Sequence, residues 1–77
     1  MITLQEAITI AKNWNADIDT YQEYKDAYEF YVDDGEEYAG GSRACVIEKE
    51  SGNVLRWDAY FMDLDREIIE VGEPQSI

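Results

Sequence analysis

The sequence predicts an α+β fold in which one N-terminal helix packs on a three- to four-stranded antiparallel meander sheet. Three observations favour this fold. The chain opens with a helix-capping pattern followed by apolar residues at helical spacing. Its middle carries segments in which apolar and polar residues alternate, as in strands with one buried face. A glycine-containing turn lies between two of these segments. With 77 residues we expect a single domain, 1–77, with a small core.

The first element is a helix whose start is marked by Thr3 and Glu6. In a capping box the threonine hydroxyl and the glutamate carboxylate each accept a hydrogen bond from the other residue's backbone amide. Apolar residues then recur three and four positions apart from Leu4 to Ala11, which predicts one buried helical face ending near residues 13–15. Residues 16–24 are polar and lack periodicity, so we expect them to carry the chain across the end of the sheet.

Alternating segments predict the strands that follow. Tyr28, Phe30 and Val32 alternate with polar or amphipathic neighbours, as a half-buried strand requires. Similar reasoning gives a second and a third strand on either side of the turn at residues 50–53, where glycine, helped by asparagine, supplies positive φ. A short apolar run near the C-terminus indicates a fourth. The predicted strands cover residues 27–32, 43–49, 54–61 and 67–71.

The connection between the first two predicted strands is rich in acids and glycines. Residues 33–37 predict a turn with an acidic tip, and Gly40 with Gly41 predicts a hinge or bulge. Alternation assigns the side chains of the sheet to two faces. We expect the helix-facing side to hold Tyr28, Phe30, Cys45, Ile47, Leu55 and Trp57. We expect the opposite, solvent-facing side to hold Tyr31, Val46, Arg56, Asp58 and Tyr60.

The chain is strongly acidic, with 18 acidic residues, 6 basic residues and a formal net charge of -12. Such a surface repels nucleic acid and anionic membranes and attracts basic partners over about one Debye length, roughly 8–10 Å at ordinary salt. No run approaches the roughly 20 apolar residues of a membrane span, and the start of the chain has no basic leader. We therefore expect a cytoplasmic protein that binds something positively charged, without nucleic acid or membrane as partner.

Most catalytic chemistry is disfavoured by composition. Without histidine, the chain lacks the usual base for a serine or cysteine nucleophile and the commonest metal ligand. Its glycines do not form a phosphate-binding loop. The acids at 17–19 and 63–67 lack the glycine and terminal carboxylate of a calcium loop, so a solvated, helix-capping or turn role is favoured. We predict no catalytic residue, cofactor or metal, and a buried, inert thiol at Cys45.

An acidic surface interleaved with tyrosines is the feature that points to binding. Tyrosine offers rigid, amphipathic contact area, and carboxylates pair with lysine and arginine. The alternative is that the tyrosines belong to the core and the acids form a solubilising shell. The predicted partner-binding residues are Tyr31, Asp33, Asp34, Glu36, Glu37, Tyr38, Asp58, Tyr60, Asp63 and Asp65.

Four segments carry a resemblance to a known family. They are residues 2–12 (ITLQEAITIAK), 28–31 (YEFY), 39–41 (AGG) and 46–54 (VIEKESGNV). In these segments the chain resembles the small bacterial immunity proteins of polymorphic toxin systems, of the immunity protein 35 type. The resemblance implies a cytoplasmic protein that neutralises a co-encoded toxin domain by occlusion, without catalytic residues. The strand that ends in Lys49, together with the Ser51, Gly52 and Val54 that come after it, is also similar to PepSY-type modules.

Three hypotheses follow for the function. The first is an immunity protein that binds a cognate, basic toxin domain. The second, which the similarity to PepSY-type modules favours, is a regulatory or chaperone-like module that binds peptides along a sheet edge. The third is an acidic mimic of nucleic acid that inhibits a DNA-binding protein. All three are binding functions rather than enzymatic ones, and we expect a monomer or a weak homodimer.

Overall fold

The computed structural model describes residues 1–33 and 44–77. The architecture is α+β, with an N-terminal helix, a five-stranded antiparallel sheet and a second, short helix. Residues 34–37 of the predicted acidic turn and the Gly40 and Gly41 hinge lie outside the described residues. In chain order the elements are α1 (Leu4–Trp14), β1 (Thr20–Glu23), β2 (Ala27–Tyr31), β3 (Cys45–Glu48), β4 (Val54–Arg56), α2 (Trp57–Phe61) and β5 (Gln75–Ser76).

The helix α1 confirms the capping prediction. The Glu6 amide donates to Thr3 Oγ1 at 3.1 Å, and the Thr3 amide donates to Glu6 Oε1 at 3.1 Å. The helix ends where the Asn15 amide donates to the Ala11 carbonyl at 2.8 Å. Both ends therefore lie where the sequence predicts them.

The sheet is a meander with one addition at its edge. The strands lie in the order β4-β3-β2-β1-β5, and every neighbouring pair is antiparallel. The pairing places Phe30 opposite Cys45 and Tyr28 opposite Ile47, so these four side chains lie on one face. This register brings the apolar positions of β2 and β3 together beneath α1.

A first core cluster fills the space between α1 and the sheet. Ala7 and Ala11 of the helix are fully buried against the sheet, and Ile18 closes one side. The predicted helix-facing residues Tyr28, Phe30, Cys45 and Ile47 belong to this cluster. The small alanines allow α1 to approach the aromatic rings closely.

Leu55 and Trp57 do not join the first cluster, and the prediction was wrong for both. Leu55 pairs with Val46 and lies on the opposite face of the sheet from Cys45 and Ile47. Trp57 begins α2 instead of extending the third strand. Directly opposed residues of two paired strands share a face, and side chains alternate between the two faces along each strand.

A second core cluster covers the face that the sequence predicts to be open to solvent. Tyr24, Ala27, Val46 and Tyr60 are buried there, and Phe61 packs against them. The rings of Phe61 and Tyr60 have centroids 5.0 Å apart, and those of Phe61 and Trp57 are 4.9 Å apart. The predicted strand 54–61 is therefore a strand only to Arg56, because helical spacing gathers these three aromatic rings over the sheet.

Residues 20–23 were predicted as an irregular crossing segment, but they form β1. Its alternating side chains are buried in part, and the Gln22 amide nitrogen donates to the Gly72 carbonyl at 2.9 Å and to the Glu23 carbonyl at 3.1 Å. A buried amide with such partners satisfies its hydrogen bonds within the sheet. Polar residues consequently occupy a strand that the apolar pattern did not reveal.

The predicted strand 67–71 is replaced by a looser pairing with β1. Glu70 forms an isolated antiparallel bridge with Tyr24, and the Val71 amide donates to the Glu23 carbonyl at 2.9 Å. The chain then turns at Gly72, whose φ is 82°, and passes Pro74, which has no amide to donate. Regular pairing resumes only at β5.

The β3–β4 hairpin confirms the predicted turn. Gly52 has a φ of 76°, and its amide donates to the Glu48 carbonyl at 2.8 Å. The predicted help from Asn53 is absent, because no residue other than glycine has a positive φ in the part of the chain that the structure describes. The Asn53 amide instead donates to Ser51 Oγ at 3.1 Å.

Candidate functional site

The predicted binding residues divide into two groups along the chain. Tyr31 and Asp33 lie at the end of β2, where Tyr31 is half-buried and Asp33 is exposed. Asp58, Asp63 and Asp65 lie in and after α2, and all three are exposed. Four further predicted residues, Asp34, Glu36, Glu37 and Tyr38, lie outside the described residues.

Asp19 fixes the backbone at the end of β2. Its Oδ1 atom accepts hydrogen bonds at 2.9 Å from both the Asp33 amide and the Thr20 hydroxyl. These bonds, the one from Asp33 first, hold the pKa of Asp19 below its ordinary value. Asp19 therefore has the turn role that the sequence favours, and it positions Asp33 at the surface.

Tyr60 is predicted to bind a partner at the surface, but the structure places it in the core. Its side chain is fully buried in the second core cluster, and its hydroxyl donates to Asp26 Oδ1. Burial, together with the neighbouring Asp26 carboxylate, raises the pKa of this hydroxyl. A partner therefore cannot touch Tyr60 while α2 stays packed on the sheet, and this residue has a structural role.

Arg66 ties the segment after α2 to the turn between β1 and β2. Its guanidinium donates from Nη1 to Asp26 Oδ2 at 3.1 Å and lies 4.6 Å from the centre of the Tyr60 ring. Its Nε atom is 3.7 Å from Asp63 Oδ2, which is an ion pair too long for a hydrogen bond. The guanidinium thus fixes the residues that follow the short helix.

Met62 and Leu64 were not predicted as binding residues, yet they lie at the surface among the predicted acids. The Met62 residue is 68% exposed and Leu64 is 99% exposed. From the sequence, Asp63 and Asp65 are predicted as partner-binding residues and the carboxylates of residues 63–67 are considered for calcium, but no role is given to Leu64 between them. An apolar residue between two acids in a turn is the signal that could have identified this feature.

Glu29 is a buried carboxylate that sequence reasoning also missed. Its Oε2 atom accepts a hydrogen bond from Trp57 Nε1 at 2.7 Å, and its Oε1 atom accepts a longer one from the Tyr24 hydroxyl at 3.4 Å. Burial raises the pKa of Glu29 above its ordinary value, although both hydrogen bonds oppose the rise. This contact joins α2 to the centre of the sheet.

Charge is distributed unevenly between surface and interior. Among the described acids all are exposed except Glu23, Glu29 and Glu48. By contrast, Lys49 is buried, where its Nζ atom lies 2.7 Å from Glu23 Oε2 and 4.9 Å from the centre of the Tyr28 ring. Arg66 is half-buried as well. Part of the small basic complement is therefore used inside the fold, and the exposed surface is dominated by carboxylates.

The described residues offer little for metal binding, thiol chemistry or a membrane-spanning helix. Within 1–33 and 44–77, no group of three or more acids or cysteines is arranged to hold a metal ion. Cys45 is fully buried, and burial raises the pKa of its thiol to about 12, as expected for an inert core residue. Among the described helices, neither is long and apolar enough to cross a membrane.

Comparison with known proteins found no matching family model, no matching curated protein and no matching solved structure. A functional proposal therefore depends on the acidic surface, with its predicted binding residues at the end of β2 and in and after α2.

Proposed function

We propose that this chain is an immunity protein that binds a basic bacterial toxin domain and neutralises it by covering its working surface. The observation that carries the proposal is the distribution of charge described above. Exposed carboxylates attract a partner rich in lysine and arginine, speed their encounter and disfavour acidic partners. The resemblance to the immunity protein 35 type supports the same class of partner.

Three of the four segments that carry this resemblance lie in the described residues and form the frame of the molecule. Residues 2–12 lie mostly in α1, residues 28–31 lie in β2, and residues 46–54 span the β3–β4 hairpin. This frame leaves the end of β2 and the turn after α2 available for contact. An inhibitor needs a stable frame and an accessible surface, and it needs no catalytic group of its own.

Peptide binding by strand addition gains less support from the described part of the sheet. Its outer strands are β4, with three residues, and β5, with two. Strand addition relies on a row of free backbone groups along an edge, so such short edges offer few hydrogen bonds. A surface contact is therefore a better match to this sheet than an added strand.

The test is protection in a bacterial host. The C-terminal domain of the protein encoded by the adjacent gene is expressed with or without this chain, and growth is measured. We expect that domain to arrest growth when expressed alone and the chain to restore growth. The two proteins should purify as a stoichiometric complex whose affinity, measured by calorimetry, falls as salt is raised.

A matched pair of variants shows whether charge acts locally. Asp33→Lys and Glu50→Lys alter the net charge equally, but Asp33 lies at the end of β2 and Glu50 lies in the hairpin turn. We expect Asp33→Lys to slow association more. Equal effects would place the interface elsewhere while leaving the function intact. Absence of both growth protection and binding would refute the immunity function itself.

A further inference from the structure

The turn after α2 exposes two apolar side chains that contribute little to the core. We call residues 62–65 the apolar tip. Leu64 is 99% exposed and Met62 is 68% exposed. Burial of apolar surface is favourable, and both side chains keep most of their surface available to stabilise a contact. Single exposed apolar residues are common, but Met62 and Leu64 lie only two positions apart in the segment that follows α2.

The backbone of the apolar tip is fixed by hydrogen bonds. The Met62 amide donates to the Asp58 carbonyl at 2.9 Å at the end of α2. The Asp65 amide donates to Asp63 Oδ1 at 3.1 Å, and the Arg66 amide donates to the Asp63 carbonyl at 3.2 Å. Leu64 therefore occupies the second position of a closed turn, where its side chain points away from the fold.

Contacts beyond the turn hold the tip against the rest of the molecule. Arg66 reaches Asp26 across 40 positions of sequence, and the same carboxylate accepts a hydrogen bond from buried Tyr60. The tip is thus anchored to both α2 and the β1–β2 turn. Because the backbone of the tip is already ordered, binding costs little further backbone entropy, and more of each contact's free energy contributes to the affinity.

Charge indicates which occupant the tip suits. Asp58, Asp63, Asp65 and Glu67 are exposed around it. A second copy of this chain would bring the same negative charge against it, and an anionic lipid surface would also be repelled. A protein with an apolar pocket rimmed by lysine and arginine would bury Met62 and Leu64 and would pair its cations with the carboxylates around them.

We infer that the apolar tip is the anchor of the interface, with Leu64 and Met62 entering an apolar pocket on a basic protein partner. The inference rests on the proposed function, and it deepens that function by naming the contact surface. Central apolar or aromatic anchors surrounded by polar groups carry most of the affinity in many interfaces. Asp58, Asp65 and Glu67 form the polar surround in this arrangement.

The test compares a tip variant with a matched control by calorimetry. The probe is the C-terminal domain of the protein encoded by the adjacent gene, purified as a complex, separated in denaturant and refolded. The variant is Met62→Ser with Leu64→Ser. The control is Ile77→Ser, since Ile77 is 45% exposed and follows β5 at the sheet edge opposite β4. We expect the tip variant to lose at least tenfold in affinity and the control to lose less than twofold.

Each outcome decides a different question. Unchanged thermal unfolding of the tip variant would show that a lost affinity reflects the interface and not the fold. Retained affinity in a stable tip variant would overturn the anchor while leaving the proposed function standing. Failure of the unmodified chain to bind the probe would overturn both. A concentration-dependent dimer that the tip substitutions abolish, seen by sedimentation, would replace the basic partner with a second copy and overturn the inference.

Discussion

Glu29 shows how one buried carboxylate connects the short helix to the sheet. It lies in the middle of β2, and its oxygens accept hydrogen bonds from Trp57 of α2 and Tyr24 beyond β1. A buried charge is costly unless its hydrogen bonds are made, so these two donors determine whether the residue is tolerated. The pKa of Glu29 is nevertheless raised, because burial outweighs the hydrogen bonds. The native state therefore binds a proton at this site more tightly than the unfolded chain does.

This difference predicts a pH dependence of stability. A raised native pKa contributes stability that is complete below the ordinary value of 4.5 and is lost as pH rises through the native value. We expect the unfolding midpoint to rise as pH falls from 7 towards 5. In Glu29→Gln the rise should be smaller, because glutamine still accepts from Trp57 but does not titrate. Calorimetry at pH 7 and at pH 5 measures the unfolding midpoint of both proteins. A change of ~1 kcal/mol in the free energy of unfolding shifts the midpoint of such a domain by about 4–8 °C.

Comparing the unmodified protein with Glu29→Gln separates the effect of Glu29 from the effect of the other carboxylates. Self-repulsion among exposed carboxylates also weakens as pH falls, and the substitution leaves that contribution nearly intact. The difference between the two pH profiles therefore isolates the Glu29 side chain. Identical profiles would show that Glu29 is ionised as easily in the native state as in the unfolded chain.

Elements with strong local signals were predictable from the sequence. The Thr3 and Glu6 capping box fixed the start of α1, and Gly52 fixed the hairpin turn. Helix α2 was not predictable by the same means. Its five residues are too few to establish a helical period, and Trp57 and Tyr60 fit an extended strand equally well when only alternation is considered. The tertiary contact of Trp57 with Glu29 arises only after the sheet has formed.

The same limit affected the candidate site. The exposed positions of Asp33 and Asp63 follow from turn chemistry, which the sequence expresses directly. The burial of Tyr60 depends on α2, so the error in that element became an error in the surface. Leu64 was overlooked because an isolated apolar residue in an acidic turn has no periodicity. Its exposure in the structure and the anchoring of the turn by Arg66 give it significance.

The β3–β4 hairpin offers a prediction at the scale of elements. A methyl group added to Gly52 would lie 3.3 Å from Ile2 Cγ2, and the alanine that carries it would have to adopt a φ of 76°. Gly72 has a similar φ of 82°, but its added methyl would meet no atom of the described residues within 4 Å. Both alanine variants should lose about 1–2 kcal/mol from the left-handed backbone. Gly52→Ala should lose about 1 kcal/mol more from overpacking against Ile2.

Urea unfolding followed by tryptophan fluorescence measures the two variants under the same conditions. The Ile2 amide donates to the Lys49 carbonyl at 2.8 Å, so the chain entering α1 is held against the hairpin and cannot move away freely. Equal losses in the two variants would mean that Ile2 shifts without cost. The difference between them therefore reports how tightly the start of α1 packs on the hairpin.

The whole molecule combines two small core clusters with a net charge of -12. Composition alone predicted both the acidity and a folded core, because aromatic residues are abundant for so charged a chain. What composition could not predict is where the cations lie. Lys49 is buried beside Glu23, and Arg66 is half-buried beside Asp26. Repulsion among the exposed carboxylates and attraction within these partly buried ion pairs therefore respond differently to salt.

This arrangement predicts that salt stabilises the protein. Sodium chloride screens exposed charges strongly, but it screens the pair of Lys49 and Glu23 less, since the lysine side chain is only 10% exposed. Raising salt from about 0.02 M to 0.5 M should increase the thermal midpoint by several degrees, as the Debye length falls from about 20 Å to about 4 Å. Replacing exposed Glu50 and Glu73 by lysine removes one negative and adds one positive charge at each position, and it should reduce this increase. A fall in the midpoint with salt in the unmodified chain would instead show that ion pairs such as Arg66 with Asp26 outweigh the repulsion among surface carboxylates.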